Sequence, residues 1–170
     1  MHYPDAEGFI FVDFEASGLG LHSFPIEIGL SWIEGDAVTT WSSLIRPASG
    51  WNLDAWNAAS ERIHGISLDT LAAAPIARGV AEEAWSLLRG KTVCSDAPEF
   101  DEFWARRLFF ELPHAFDLRV HDVHSAFDYA LTRAGMDRVY ETLAGLPAPH
   151  RAGPDAERYA KAFLNGLRVR

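Results

Sequence analysis

The sequence lacks the features that mark secreted and membrane-spanning proteins. It has a single cysteine, Cys94, so an internal disulfide is excluded and a reducing compartment is expected. No apolar run approaches the roughly 20 residues that a membrane-spanning helix needs. The first eight residues carry Asp5 and Glu7 where a secretion signal would carry basic residues. We therefore expect a cytoplasmic protein with no membrane partner.

Lysine is also scarce. Only Lys91 and Lys161 occur among 15 basic residues, and 24 acidic residues give a formal net charge of -9. This charge argues against a broad basic surface for nucleic acid, because phosphate binding depends mainly on Lys and Arg. It is compatible with local binding, since carboxylates that hold divalent cations make a site strongly negative only while it is empty. Arginine, the main basic residue here, can grip phosphate in a bidentate fork.

Hydrophobic patterning predicts an α/β fold. The length of 170 residues and the hydrophobic content of 48% fit one compact domain, which we place at residues 1–170. A buried strand from Phe9 precedes two strands joined by a turn at Gly35-Asp36, which together form a meander. Two further strands alternate with helices: Thr92–Ser95, and a strand through Phe116, Leu118 and Val120. We expect a mixed five-stranded sheet flanked by α-helices.

Helical spacing of apolar residues predicts the other elements. One helix is expected from Trp51 to a stop at Gly65. Apolar residues over 123–134 predict a single amphipathic helix with Gly135 as its cap. The last helix is expected to begin at Pro154, because proline is favoured at the first helical position.

Acidic residues occur at three predicted element ends. Asp13 and Glu15 lie two apart at the end of the first strand, so their side chains point to the same side. Asp101 begins the helix after the fourth strand, and His150 and Asp155 flank the start of the last helix. Ligands of such sheets gather where strands end and helices begin. Because clustered acids repel unless a cation lies between them, this pattern favours a divalent-cation site.

Each of these residues also has an ordinary structural interpretation. Asp13 and Glu15 can be surface acids at a strand end, Asp155 can complement a helix dipole, and His150 can be an exposed loop residue. Asp96 can cap the helix that contains Asp101, or can compete with Asp101 for a cation. The hypothesis of a divalent-cation site therefore depends on the ordered set of motifs, since single short motifs often occur by chance.

The ordered set resembles the motifs of the DEDDh 3′→5′ exonucleases, a group that includes RNase T, oligoribonuclease and the proofreading epsilon subunit of bacterial DNA polymerase III. The three motifs are Val12-Asp-Phe-Glu-Ala-Ser-Gly-Leu19, Glu99-Phe-Asp101 and His150-Arg-Ala-Gly-Pro-Asp155. Ile63-His-Gly-Ile66 is similar to a segment of the epsilon-like branch. The second motif departs from the family, which has an Asn and a short spacer before Phe-Asp, and this departure leaves Asp96 as the rival of Asp101.

The resemblance implies an RNase H-like exonuclease fold and release of nucleoside 5′-monophosphates by a two-metal mechanism. It implies two Mg²⁺ or Mn²⁺ ions, which prefer oxygen ligands and can stabilise both the attacking and the leaving oxygen. Asp13 would bridge both ions, and His150 would accept the proton of the attacking water. The implied metal ligands are Asp13, Glu15, Asp101 and Asp155. The implied contacts to the terminal nucleotide are Gly18, Leu19 and His64.

The expected partner is the 3′ end of single-stranded DNA or RNA. The residues do not choose between the two, because contacts to the 2′-hydroxyl depend on loop geometry. Arg106, Arg107 and Arg151 are candidate phosphate contacts, and a homodimer and a polymerase-associated subunit both fit the resemblance. One alternative is a catalytically silent module that kept the fold to bind nucleic acid or protein. Another is an RNase H-like endonuclease, which does not account for the pairing of His150 with Asp155.

Overall fold

Five strands form one mixed sheet. The protein is described here from a computed structural model that covers residues 6–114 and 118–169. The strands are β1 (Phe9–Ala16), β2 (Pro25–Glu34), β3 (Ala37–Leu44), β4 (Thr92–Ser95) and β5 (Val120–Asp122). Their order in the sheet is β3-β2-β1-β4-β5. The first three strands form an antiparallel meander, and β4 and β5 run parallel to β1, which confirms the expected mixed sheet.

Seven α-helices occur in the described residues, with a 3₁₀ turn at Leu53–Ala55 before the first. They are α1 (Ala58–His64), α2 (Leu68–Ala72), α3 (Ala77–Leu88), α4 (Pro98–Phe109), α5 (Val123–Ala130), α6 (Arg133–Gly145) and α7 (Ala152–Leu167). None of the helices over 6–114 and 118–169 is long and apolar enough to cross a bilayer.

Helices cover both faces of the sheet because β1 is apolar on both sides. Ile10 and Val12 belong to a core that β1 and β2 share with α3 and α4. Phe9 and Phe11 point the other way and pack edge-on against Phe163 of α7, with ring centroids 5.8 and 5.5 Å apart. The central strand is therefore enclosed between two helical layers, and its carboxyl end is where polar side chains emerge.

Two predicted helices are divided in the structure. The helix expected from Trp51 is a 3₁₀ turn followed by α1, because Trp56 is extended and Asn57 caps α1 through the amides of Ala59 and Ser60. The predicted stop is confirmed: Gly65 ends α1 with a φ of 70°, a left-handed conformation that suits glycine.

The prediction of a single helix over 123–134 is also wrong, because the structure has two helices there. Leu131 is extended, and Thr132 begins a new helix by accepting a hydrogen bond from the amide of Gly135. Gly135 is therefore not a cap. It lies inside α6, where a Cβ atom would approach the carbonyl oxygen of Gly166 to 2.8 Å, so α6 and α7 pack backbone against backbone at this point.

Asp13 and Glu15 lie in the last four residues of β1, at the end of the strand as expected. Two expected boundaries differ. The last helix begins at Ala152, two residues before Pro154. The fifth strand begins at Val120, and Phe116 lies outside the described residues.

Candidate metal centre

Strand alternation places Asp13 and Glu15 on the face of β1 that α7 covers. Phe9 and Phe11 fill the beginning of that face, and the two carboxylates continue it toward the carboxyl end of the strand. Both acids are half-buried. The start of α7 lies over this end of the sheet, and Asp155 in its first turn faces the same volume.

The structure brings acids from three segments together in two overlapping groups. Asp13, Glu15 and Asp155 form one group, and Asp13, Asp96 and Asp101 form the other. Within each group the candidate ligand oxygens all lie within 4.8 Å of one another. Asp13 belongs to both, so it is the carboxylate that the two acidic groups share.

The acids repel one another and are poorly solvated, which raises their pKa values. Burial is the largest cause for Asp13, whose pKa lies well above its usual range, and the charges of Asp101, Glu15 and Asp155 raise it further. Burial and the charge of Asp155 raise the pKa of Glu15 to about 7. Burial also raises the pKa of Asp101 to about 8, although a hydrogen bond from Ser95 opposes the shift. Such a cluster is stable in ionised form only with positive charge inside it.

The donor set fits a hard divalent cation. Every candidate ligand in the two groups is a carboxylate oxygen, the donor type that Mg²⁺ and Mn²⁺ prefer. Asp155 adds a second sign of fit. Its Oδ2 accepts a hydrogen bond from the Arg151 amide at 3.0 Å, whereas its buried Oδ1 has no hydrogen-bond partner among the described residues. A buried carboxylate oxygen without a donor is costly unless a ligand occupies it.

Asp101 and Asp96 both reach the second group but in different environments. Asp101 is 2% exposed and accepts a hydrogen bond from the Ser95 hydroxyl. Asp96 is exposed and accepts a hydrogen bond from the Tyr159 hydroxyl at 2.8 Å. The suggestion that Asp96 caps α4 is wrong, because Ala97 occupies the cap position and no side chain caps that helix.

His150 lies beside the acids and not among them. It is exposed and belongs to neither acidic group. Burial raises the pKa of Asp155, and His150 is close enough to that carboxyl for its charge to oppose the shift. Its backbone has a φ of 56°, the only left-handed residue other than glycine in the described ranges. This conformation is unfavourable for histidine and marks a constrained turn before α7.

The residues expected to contact substrate separate into two environments. Gly18 and Leu19 line a groove of about 370 Å³ between the loop after β1 and residues 52–57. Leu19 is 72% exposed, and Leu21 beside it is 83% exposed. The loop is fixed at its base, because Ser17 accepts a hydrogen bond from the Asn57 amide at 2.8 Å. The groove therefore has an apolar rim on a fixed backbone.

His64 does not line that groove. It is 5% exposed, and its Nδ1 accepts a hydrogen bond from the Ile66 amide at 3.0 Å. Its buried Nε2 has no hydrogen-bond partner among the described residues, and burial lowers the pKa of the ring. The expected contact between His64 and a nucleotide thus stays a prediction.

The candidate phosphate contacts are already engaged within the protein. Arg106 pairs with Glu102 at 2.8 Å, and Arg107 donates to the Ser23 carbonyl. Arg151 binds Glu27 with both arms of its guanidinium group, at 2.9 and 2.7 Å.

Glu27 is the residue that sequence reasoning missed. It lies in β2 directly opposite Glu15 and is 4% exposed. A signal was present, since Glu27 stands between Ile26 and Ile28 in the apolar part of the strand and a buried acid needs a partner. That partner is Arg151, which is 124 positions away in the sequence.

Solved structures resemble this chain in fold. Exonuclease I of E. coli in complex with a dA16 oligonucleotide matches with a TM-score of 0.65 and 19% identity, over 92% of this chain and 40% of that one. The nuclease domain of 3′hExo, a DEDDh family member bound to rAMP, matches with a TM-score of 0.62 and 15% identity, over 92% and 89%. The S. pombe Pop2p structure with bound Mg²⁺ and Mn²⁺ matches with a TM-score of 0.63 and 14% identity, over 93% and 82%.

These likenesses show the fold of the DEDDh exonucleases. The chain spans less than half the length of exonuclease I. No protein-family model matches the sequence, and no curated protein matches it.

Proposed function

We propose that the protein is a metal-dependent 3′→5′ exonuclease that acts on single-stranded nucleic acid and releases nucleoside 5′-monophosphates. The observation that carries the proposal is the position of Asp13 in both acidic groups. A carboxylate shared by two cations would hold them close together, as two-metal phosphodiester hydrolysis needs. The fold and the order of the three motifs support the same conclusion.

Each carboxylate has a distinct place in this proposal. Glu15 and Asp155 would hold the cation on one side of Asp13, and Asp101 would hold the other, directly or through water. Two Mg²⁺ or Mn²⁺ ions, when bound, would supply positive charge that lowers the pKa of a water and stabilises the attacking and leaving oxygens. With cations bound, these carboxylates would stay ionised, despite the raised pKa values that they have without metal.

His150 would act as the general base. It is exposed at the edge of the acidic cluster, next to Asp155, so its ring can accept a proton from a water held there without displacing a carboxylate. The left-handed backbone of His150 fixes the direction in which the ring leaves the chain.

The groove beside the cluster suits the end of a single strand. Gly18 and Leu19 lie just beyond Glu15, where a terminal nucleotide would enter. The exposed Leu19 and Leu21 side chains offer apolar contact to a base, a mode of binding that tolerates different base sequences. E. coli exonuclease I has been solved with a dA16 oligonucleotide and the 3′hExo domain with rAMP, so the neighbours include a deoxyribonucleotide and a ribonucleotide ligand.

A time course with matched single-stranded RNA and DNA oligomers, labelled at the 3′ nucleotide, tests the proposal. The reactions contain Mg²⁺, Mn²⁺ or chelator, and a circular single strand serves as the control for cleavage that needs no end. We expect metal-dependent release of labelled mononucleotide, and no cleavage of the circle. The ratio of the RNA and DNA rates identifies the substrate.

Two outcomes would contradict the proposal. Cleavage of the circle would indicate an endonuclease. Absence of release from folded protein under every condition would favour a binding module that kept the fold.

A further inference from the structure

Glu27 is a buried carboxylate outside both acidic groups, and both of its oxygens accept hydrogen bonds from the start of α7. Its Oε1 accepts a hydrogen bond from Arg151 Nη2 at 2.7 Å. Its Oε2 accepts two, from Arg151 Nε at 2.9 Å and from the Ala152 amide at 3.0 Å. Glu27 is therefore committed to a bidentate, charge-assisted pair with Arg151 and not to either acidic group.

The partners of Glu27 lie between the two functional residues of the third motif. Arg151 follows His150 directly, and its own amide donates to Asp155 Oδ2 at 3.0 Å. The Asp155 amide in turn donates to the Arg151 carbonyl at 3.0 Å. A continuous set of hydrogen bonds therefore connects β2 to Asp155 through Arg151, and Arg151 is covalently joined to His150.

The start of α7 depends on this contact from another strand. Arg151 occupies the cap position but provides no side-chain cap to the helix. Glu27 supplies the missing acceptor, because it binds the Ala152 amide and places a negative charge at the positive end of the helix dipole. An anchored Arg151 also fixes one side of the strained turn at His150.

We propose that Glu27 is a positioning residue for the nuclease reaction. Through Arg151 it holds His150 and Asp155 at the metal centre, while it contacts neither the cations nor the substrate. The inference rests on the proposed function and adds to it a residue that no motif contains. It also assigns Arg151 to orientation of the site and not to phosphate binding.

The test compares Glu27→Gln, Arg151→Gln and the double variant with the wild-type protein. Glu34→Gln is the matched control, because Glu34 is an exposed acid on the same strand. On a single-stranded oligomer we expect Glu27→Gln to lower kcat by about 10- to 100-fold, the usual cost of losing a residue that orients a metal ligand. We expect KM to be little changed, since Glu27 does not contact the substrate.

Coupling between the two residues distinguishes positioning from a general loss of stability. If Glu27 acts through Arg151, the double variant loses no more kcat than the worse single variant. The inference would be overturned if the loss of kcat in the double variant equals the product of the two single losses, or if Glu27→Gln has a wild-type kcat. Should Glu27→Gln fail to fold, Arg151→Lys is the alternative variant, because lysine keeps the positive charge but cannot make the bidentate hydrogen bonds to Glu27. An unchanged kcat in Arg151→Lys would equally overturn the inference.

Amide hydrogen exchange on the metal-free protein separates this inference from the proposed function. In Glu27→Gln we expect faster exchange at Arg151 and Asp155, whose amides do not bond to Glu27, and no change in Glu34→Gln. If the wild-type protein has no nuclease activity, the proposed function fails. The exchange rates still test whether Glu27 holds the start of α7 in place. Unchanged exchange at both amides would overturn the inference regardless of activity.

Discussion

Gly29 of β2 and Ala152 of α7 are in direct backbone contact. A Cβ atom on Gly29 would overlap the carbonyl group of Ala152. Gly29 is also the residue that pairs with Asp13 across the β1–β2 ladder. The absence of a side chain at Gly29 thus allows the start of α7, and with it Asp155, to approach the strand that carries Asp13.

Replacement of Gly29 by alanine is therefore expected to displace α7 or unfold the protein. The new Cβ atom would clash with backbone atoms, which cannot move aside as a flexible side chain can, so we expect a loss of about 3 kcal/mol in the free energy of unfolding. Urea denaturation measures this loss. Gly145→Ala is the matched control, because a Cβ atom there meets nothing within 4 Å. Similar stability of the two variants would show that α7 is not packed this closely.

The acidic cluster gives the metal-free protein an unusual pH dependence. The folded-state pKa values of Glu15 and Asp101, about 7 and about 8, lie above their unfolded values of about 4, so the folded state binds more protons in between. The free energy of unfolding should then fall as pH rises through this range. The lowered pKa of His64 acts in the opposite direction, but only below about 6.5, where its unfolded form takes up a proton.

Thermal unfolding at pH 6.5 and pH 8 in the presence of chelator checks this dependence. We expect a lower melting temperature at pH 8, and a smaller difference in Asp101→Asn, which removes one of the titrating groups. Excess Mn²⁺ should stabilise the protein more at pH 8 than at pH 6.5, because cation binding requires deprotonated ligands. A melting temperature that rises toward pH 8 without metal would contradict the raised pKa values.

Most of the sheet could be predicted because its signals are local. Thr92–Ser95 has the predicted bounds, and the Gly35-Asp36 turn joins β2 to β3 as expected. The break between α5 and α6 could not be predicted, since the apolar spacing continues across it. It depends on an extended Leu131 and on Thr132, whose role as a cap is visible only in the fold.

The candidate site was likewise predictable where its signals are local and unpredictable where they are not. Because ligands gather at strand ends, the sequence predicted that Asp13, Glu15, Asp101 and Asp155 lie close together. The structure places them in two overlapping groups. Sequence reasoning could not find the contact between Glu27 and Arg151, because no local pattern connects residues 124 positions apart. Nor did it anticipate the close approach at Gly29, which depends on how α7 crosses the sheet.

Asp13 is expected to oppose the stability of the metal-free protein while being essential for activity. Asp13→Asn removes a buried charge that its neighbours repel, so we expect a gain of about 1–2 kcal/mol in unfolding free energy at pH 8 in chelator. Nuclease activity should fall by more than about a hundredfold, because losing even a residue that orients a ligand costs about 10- to 100-fold. Denaturation and oligomer cleavage measure the two effects, with the exposed Asp128→Asn as control. If Asp13→Asn is instead less stable than the wild-type protein, then the Asp13 carboxyl is stabilised by protein groups without a cation.

Asp101, and not Asp96, is expected to be the ligand from the second motif. Asp101 is almost fully buried and needs a cation to stay ionised, whereas Asp96 is exposed to water and bound by Tyr159. Asp101→Asn should therefore lose more than about a hundredfold in activity, and Asp96→Asn less than about tenfold. Tyr159→Phe, compared with Asp96→Asn, shows whether any loss at Asp96 comes from the hydrogen bond. A larger loss in Asp96→Asn would reverse the assignment.

His150 is expected to affect the chemical step and not metal binding. Because it belongs to neither acidic group, His150→Gln should bind Mn²⁺ with wild-type affinity in calorimetry. Its kcat should fall by about 10²–10⁴, the range for loss of a general base. His114→Gln, which changes an exposed histidine in the segment after α4, controls for a general effect of the substitution. If His150→Gln instead loses Mn²⁺ binding in parallel with activity, then His150 is a ligand, and the water must lose its proton to another group.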